Sequence, residues 1–353
     1  MGKVLNNQNR DIFLDIAKGL AIILVVVGHV LQGSALNFDE LIGFRVIYSF
    51  HMPLFVFLSG AVAAIAFKSD RLQDGFRATL ASIRTRLSKS AIRLLLPFVA
   101  WCIVNELIYH SSNGVISALV LAFRRPDTAL WFLLAIFYCV VLLSIFEILF
   151  AALYALSKNI ACSSCARFLL DGRVQVLLMI FIWWLIREHT PRGAGISLLR
   201  PYFIYYVLGM GFYRYLYQDL ASWKYFFVGI LFIALVPFWS RTAVDNFYVS
   251  EQFAALPQYL SYFYAAIVAL SGSFLILGIA KLIAVSQAGW FKSSFVLCGQ
   301  LSLGIYALHY FFLSYPPKVI APLLLSIAIA FILNRIPVLR TIFLGEKWRS
   351  NSF

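Results

Sequence analysis

A chain of 353 residues with 62% hydrophobic and 12% charged side chains and a mean hydropathy of +0.87 carries more apolar surface than a soluble interior can hide. These values exclude a soluble domain, a disordered chain, a disulfide scaffold and a coiled coil. They imply on the order of ten membrane spans, each of about 17–25 residues. The formal charge of +14, from 29 Lys and Arg against 15 Asp and Glu, follows from the enrichment of basic residues in the cytoplasmic loops of membrane proteins, so nucleic acid is not an expected partner.

In chain order the apolar runs predict spans at Ile12–Leu31, Gly43–Phe67, Ala91–Tyr109, Ala129–Leu156, Val174–Ile186, Tyr202–Tyr217, Lys224–Ser240, Gln258–Val285, Phe295–Ser314 and Val319–Asn334. Lys3 and Arg10 precede the first as in a signal peptide, but Lys18 lies inside it and no small-residue cleavage site follows, so it reads as a retained anchor. With the N-terminus inside, twenty basic residues fall on the cytoplasmic side and eight on the other, while the first outer loop carries Asp39 and Glu40. The expected protein is thus an all-α polytopic membrane protein of about ten helices with both termini cytoplasmic, forming one domain over residues 1–353 with no separate soluble part. Of the five cysteines, Cys162 and Cys165 form a single CxxC with neither a second pair nor a βαβ setting, which reads as chance spacing.

Ionisable side chains inside lipid are costly and mark cavities or pathways. In the first span Asp15, Lys18 and His29 share an arc of about 60°. Lys18 and His29 lie about 16 Å apart along the axis, placing a cation near the cytoplasmic end and an imidazole at the far end of one stripe. Asp15 can reach Lys18 but not His29, so a partner orienting His29 is expected from another helix. The alternative reading has Asp15 and Lys18 anchoring the helix end, with Lys18 snorkelling to the interface. The second span holds FHMPLFVFLSG, where Pro53 favours a kink or break beside His51; a kink that only helps packing is the alternative. In GQLSLGIYALHYF, Ser302, Tyr306 and His309 stand at i, i+4 and i+7, one polar stripe that reads as site lining or as an interfacial belt. A basic segment runs through Arg77, Arg84, Arg86, Lys89 and Arg93. It reads as an anionic-lipid surface, or, at the mouth of the third span, as a grip on a phosphorylated ligand.

LDIAKGLAIILVVVGH, FHMPLFVFLSG, IRLLLP, LWFLLAIF and LSLGIYALHYF, in that order from about Leu14 to Phe312, resemble the acyltransferase 3 family of bacterial membrane-bound O-acylases acting on surface glycans. The resemblance implies transfer of an acyl group, usually acetyl from acetyl-CoA, to a sugar hydroxyl of a surface or exported polysaccharide or its lipid-linked precursor. It implies a multi-pass protein of the bacterial inner membrane, acetyl-CoA as substrate rather than a resident cofactor, and no metal. The family's basic residue, ten intervening residues and histidine fall on Lys18 and His29, with Lys where Arg is commoner. Its basic pair before the third span matches at Arg93, but Ser90 stands three residues earlier, where Lys89 or Arg86 substitutes. With no serine-hydrolase-type extension after Phe353, the resemblance is to stand-alone members.

On that reading His29 is the base or a transient acyl carrier, with His51 next. Ser302, Tyr306, His309 and Asp15 line or orient the site, and Lys18, Lys89, Arg93 and Arg86 hold the donor phosphates. A polar passage bordered by Ile22 and Val25 is expected along the Lys18–His29 line. The rival is a proton-coupled transporter or flippase of a glycan or small molecule, in which Asp15, Lys18 and the histidines relay protons; no internal repeat supports it. A three-histidine metal site is a third possibility, for which no close-spaced pair is present.

Overall fold

The computed structural model describes residues 11–66, 73–109, 114–125, 130–159, 163–191, 193–218, 222–240, 243–244, 247–248 and 258–346. Sixteen α-helices make up nearly all the regular structure of these residues: α1 (Ile12–Gln32), α2 (Ile42–Tyr48), α3 (His51–Ala66), α4 (Phe76–Ser90), α5 (Leu96–Tyr109), α6 (Val115–Arg124), α7 (Trp131–Asn159) and α8 (Ser163–Leu170). They continue with α9 (Gly172–Ile186), α10 (Leu199–Tyr215), α11 (Ser222–Leu235), α12 (Gln258–Val285), α13 (Gly289–Gln300), α14 (Ser302–Leu308), α15 (Ile320–Arg335) and α16 (Pro337–Leu344). The strands are a two-residue antiparallel pair, Ala243 opposite Tyr248 and Val244 opposite Phe247.

The chain is an all-helical, multi-pass membrane protein. Among the described residues, five stretches are long and apolar enough to cross a bilayer: Ile12–Gln32, Ile42–Ile65, Phe76–Tyr109, Trp131–Lys158 and Leu260–Val285. Gly289–Gln300 with Ser302–Phe312, bent by 65°, makes a sixth if the pair is one span. Each of the ten expected spans falls on helix, but several helices are short. At about 1.5 Å per residue, Trp223–Phe238 and Ile320–Arg335 fall short of a hydrocarbon core of about 30 Å. The helices α4 and α6 occupy stretches that composition alone left as connections. Phe67, Ala129 and Cys162 lie outside the described residues.

The chain forms two compact units, Met1–Leu58 with Leu220–Phe331, and Ser59–Asp219 with Ile332–Phe353. In the first, Asp11 starts α1 by accepting from the backbone N–H groups of Phe13 and Leu14 at 2.9 and 3.4 Å, satisfying donors that a helix start leaves unpaired. Two glycines set the approach of α1 to α13. A Cβ at Gly19 would overlap the Phe295 carbonyl oxygen, and one at Gly299 would overlap that of Asp15. Backbones meet this closely only where side chains are absent. This contact fixes α13, and through the break at Leu301 it fixes α14 and the 3-10 turn His309–Phe312 near the far end of α1.

In the second unit α4 runs through a π-helical turn, Ala91–Leu95, into α5. It is tied to α7 by a forked contact, with Arg86 Nη1 and Nη2 donating to Glu147 Oε1 and Oε2 at 2.7 and 2.5 Å and Nη2 also to Ser144 Oγ at 3.0 Å. Two more close contacts knit this unit. Gly60 on α3 faces the Tyr206 backbone of α10, and Gly345, with φ +64, passes the Arg93 carbonyl. Trp101 Nε1 donates to Phe343 O at 3.0 Å, holding α16 on α5.

Candidate active site

The far end of α1 is where chemistry-bearing side chains of the first unit converge. His29 is half-buried, and its two nitrogens face different partners. Nδ1 lies 3.2 Å from Gln32 Oε1, one turn further along the same helix. That amide oxygen also accepts from Tyr48 Oη at 2.7 Å. With Gln32 Oε1 as the acceptor on this side, the hydrogen-bond network assigns the proton to Nδ1 and the lone pair to Nε2. The Tyr310 hydroxyl, 2.7 Å away, donates to that lone pair.

Tyr48 is held for this task from three sides. Gly28 leaves room for its ring against α1, since a Cβ there would come within 3.0 Å of the Tyr48 ring. Phe44 stacks on it at 3.9 Å between centroids, and His51 packs at 4.6 Å.

His51 and His309 both sit where a helix changes geometry. Pro53 cannot donate to the carbonyl four residues before it, and the helix breaks at Ser49 and Phe50, so Pro53 ends up in the first turn of α3 rather than at a mid-span kink. His51 Nδ1 donates to Ile47 O at 2.9 Å across that break. His309 opens the 3-10 turn, and its Nδ1 donates to Ile305 O at 3.0 Å. A carbonyl only accepts, so both rings carry their proton on Nδ1 and present a bare Nε2. The His29 and His309 rings lie 5.3 Å apart.

The remaining expected residues fall in different places. Lys18 Nζ pairs with Asp15 Oδ1 at 2.7 Å, within α1. Tyr306 is buried with its ring 6.2 Å from that of His309, and Ser302 opens α14 two turns earlier. The break between α13 and α14 and the tighter turn after Leu308 bring Tyr310 rather than Tyr306 onto His29. Lys89 and Arg93 are exposed, Arg93 within the π-helical turn. The Arg86 fork donates to Glu147 and Ser144. Ile22 and Val25, expected to border a passage along α1, are buried, at 0% and 1% exposed. The expectation that another helix orients His29 holds only in part, because Gln32 comes from α1 itself.

Sequence reasoning missed Gln32, Tyr48 and Tyr310. Gln32 stands at i+3 from His29 and was open to the same facial argument that linked Lys18 and His29. Among the described residues no group of three or more His, Cys, Asp or Glu is arranged to hold a metal.

Residues 11–339 match the family described as acyltransferase domain, acyltransferase 3. The chain is 36% identical over 166 residues to Nodulation protein NolL of Sinorhizobium fredii (strain NBRC 101917 / NGR234), covering 44% of this chain and 41% of that protein. It is 34% identical over 113 residues to Nodulation protein NolL of Mesorhizobium japonicum (strain LMG 29417 / CECT 9101 / MAFF 303099), covering 31% of this chain and 26% of that protein. The matched segments thus span well under half the length of these curated relatives. With the family match running from the N-cap of α1 into α16, the chain belongs to the acyltransferase 3 family.

Proposed function

We propose that this chain is a membrane-bound O-acyltransferase that moves an acyl group, acetyl from acetyl-CoA, to a sugar hydroxyl of a surface or exported polysaccharide or its lipid-linked precursor. The observation that carries the reading is the Tyr310 hydroxyl, 2.7 Å from the bare Nε2 of His29. It supports the reading because an O–H group stands within hydrogen-bond reach of that nitrogen, a place that an acceptor hydroxyl can take. A sugar hydroxyl is a weak nucleophile until its proton is taken. In the reaction the acceptor oxygen attacks the thioester carbonyl as His29 Nε2 takes the hydroxyl proton. The carbon–sulfur bond then breaks, the coenzyme A thiolate leaves, and the proton on His29 returns to that sulfur. The balance is thioester plus alcohol to ester plus thiol.

Gln32, held by Tyr48, keeps the proton on Nδ1 and so keeps Nε2 available at the start of each cycle. His51 supports Tyr48 through ring packing. Lys89 and Arg93 are exposed cations suited to coenzyme A phosphates, with Lys18 a further cation in the donor set. The setting we propose is the bacterial inner membrane, with ten crossings and both termini cytoplasmic, the arrangement favoured by the distribution of basic residues.

The test uses the purified full chain with acetyl-CoA and a glycan extract, following free thiol and acetylated glycan together. The reading expects thiol release that depends on the glycan and matches ester formed. Glycan flux across proteoliposomes with no thiol release would contradict it and favour the transporter.

A further inference from the structure

Tyr310 covers two imidazoles at once. Its ring centroid is 4.2 Å from that of His309 and 4.7 Å from that of His29, and the two histidine rings are 5.3 Å apart and tilted by 32°. His309 has no exposed surface, at 0%. Its Nδ1 proton is spent on Ile305 O, so Nε2 can only accept, and among the described residues that Nε2 has no hydrogen-bond partner. Folded proteins pair nearly all buried polar atoms, and one left bare beside a reactive group calls for a reason. Tyr310 itself is 44% exposed and stands on a 3-10 turn, so it is the member of the trio that an incoming molecule meets first.

We propose that His309 is the second half of the acceptor site and that the acceptor is a saccharide with two adjacent hydroxyls. One hydroxyl donates to His29 Nε2 and loses its proton there; its neighbour donates to His309 Nε2 and stays intact. This rests on the acyltransfer reading above and adds the substrate class to it. In the acceptor-free protein the Tyr310 hydroxyl occupies the first position and its ring covers the second. A molecule with a single O–H group replaces the Tyr310 bond to His29 and leaves His309 bare. A vicinal diol replaces that bond and also satisfies the buried nitrogen. Discrimination by a hydrogen bond that only the right substrate completes is stronger than discrimination by apolar fit.

The experiment uses the purified full chain, acetyl-CoA, and octyl hexopyranosides beside the monodeoxy analogue of each that lacks the hydroxyl next to the acetylated position, with products identified by mass spectrometry. The wild type should favour the parent glycoside over the deoxy analogue by at least about tenfold in kcat/KM. His309→Phe should bring that ratio to within about twofold of unity, mainly through KM for the parent, and His309→Gln, whose amide oxygen reaches the place of Nε2, should restore most of it. If His309→Phe does not fold, His309→Asn serves, because its shorter amide stands near Nδ1 instead; a ratio kept in the Gln variant and lost in the Asn variant supports the assignment. Equal ratios in wild type and variants, or a wild type indifferent to the deoxy change, overturn the diol proposal and leave acyltransfer standing. A wild type that acetylates no glycoside in the panel contradicts the acyltransfer reading and the diol proposal with it.

Discussion

Gln32 has no charge, yet it decides which nitrogen of His29 can act. With its oxygen shared between His29 Nδ1 and the Tyr48 hydroxyl, the imidazole is held in one tautomer by an uncharged group. Gln32→Ala should therefore lower kcat by about tenfold or more while KM for acetyl-CoA stays near the parent value, the pattern for a group that positions the base rather than binds the donor. Steady-state kinetics with varied acetyl-CoA checks it, and a rise in KM with unchanged kcat would contradict it. The three histidines were legible in the sequence because an imidazole inside an apolar helix is too costly to be filler. Tyr48 and Tyr310 were not, since tyrosine is at home at membrane interfaces and its spacing says nothing until the helix breaks are known.

Those breaks operate at the scale of elements. Read as one regular helix, residues 302–309 put Ser302, Tyr306 and His309 on a stripe. The observed change to a 3-10 turn at His309 rotates the following residue onto His29. Pro53 announced a break in the second span, and the break came four residues earlier, at the carbonyl that proline leaves unpaired. The approach of α1 to α13 was invisible because a glycine in an apolar run looks like any small residue. Gly19→Ala or Gly299→Ala should destabilise the fold by about 1–3 kcal/mol as the backbones are forced apart, seen as a lower thermal midpoint in detergent; an unchanged midpoint in both would contradict the close contact. On α4, Arg86→Met leaves Glu147 unpaired among buried groups and should cost about 3–5 kcal/mol, while Arg86→Met with Glu147→Leu should recover most of that. A stable Arg86→Met whose only defect is a raised KM for acetyl-CoA would instead assign Arg86 to the donor-binding set.

Over the whole molecule, composition was enough for an all-helical membrane protein, but the number of crossings depends on whether short and broken helices count as spans. The stretches Trp223–Phe238 and Ile320–Arg335 are apolar yet about a turn or more short of a full crossing. Orientation rests on the twenty basic residues against eight. Single cysteines at the exposed positions Asp39 and Arg84, in a background without reactive thiols, should label with an impermeant reagent in intact cells at Asp39 and not at Arg84; the opposite pattern would invert the topology. The measurement that bears most directly on the central claim, that His29 Nε2 is the base for acyl transfer to a sugar hydroxyl, is glycan acetylation by purified wild type and His29→Ala at equal protein, read by mass spectrometry. The expected result is a loss of at least about a hundredfold in the variant, with expression and detergent elution unchanged. Acetylation by His29→Ala within about threefold of the wild type would show that another group takes the proton.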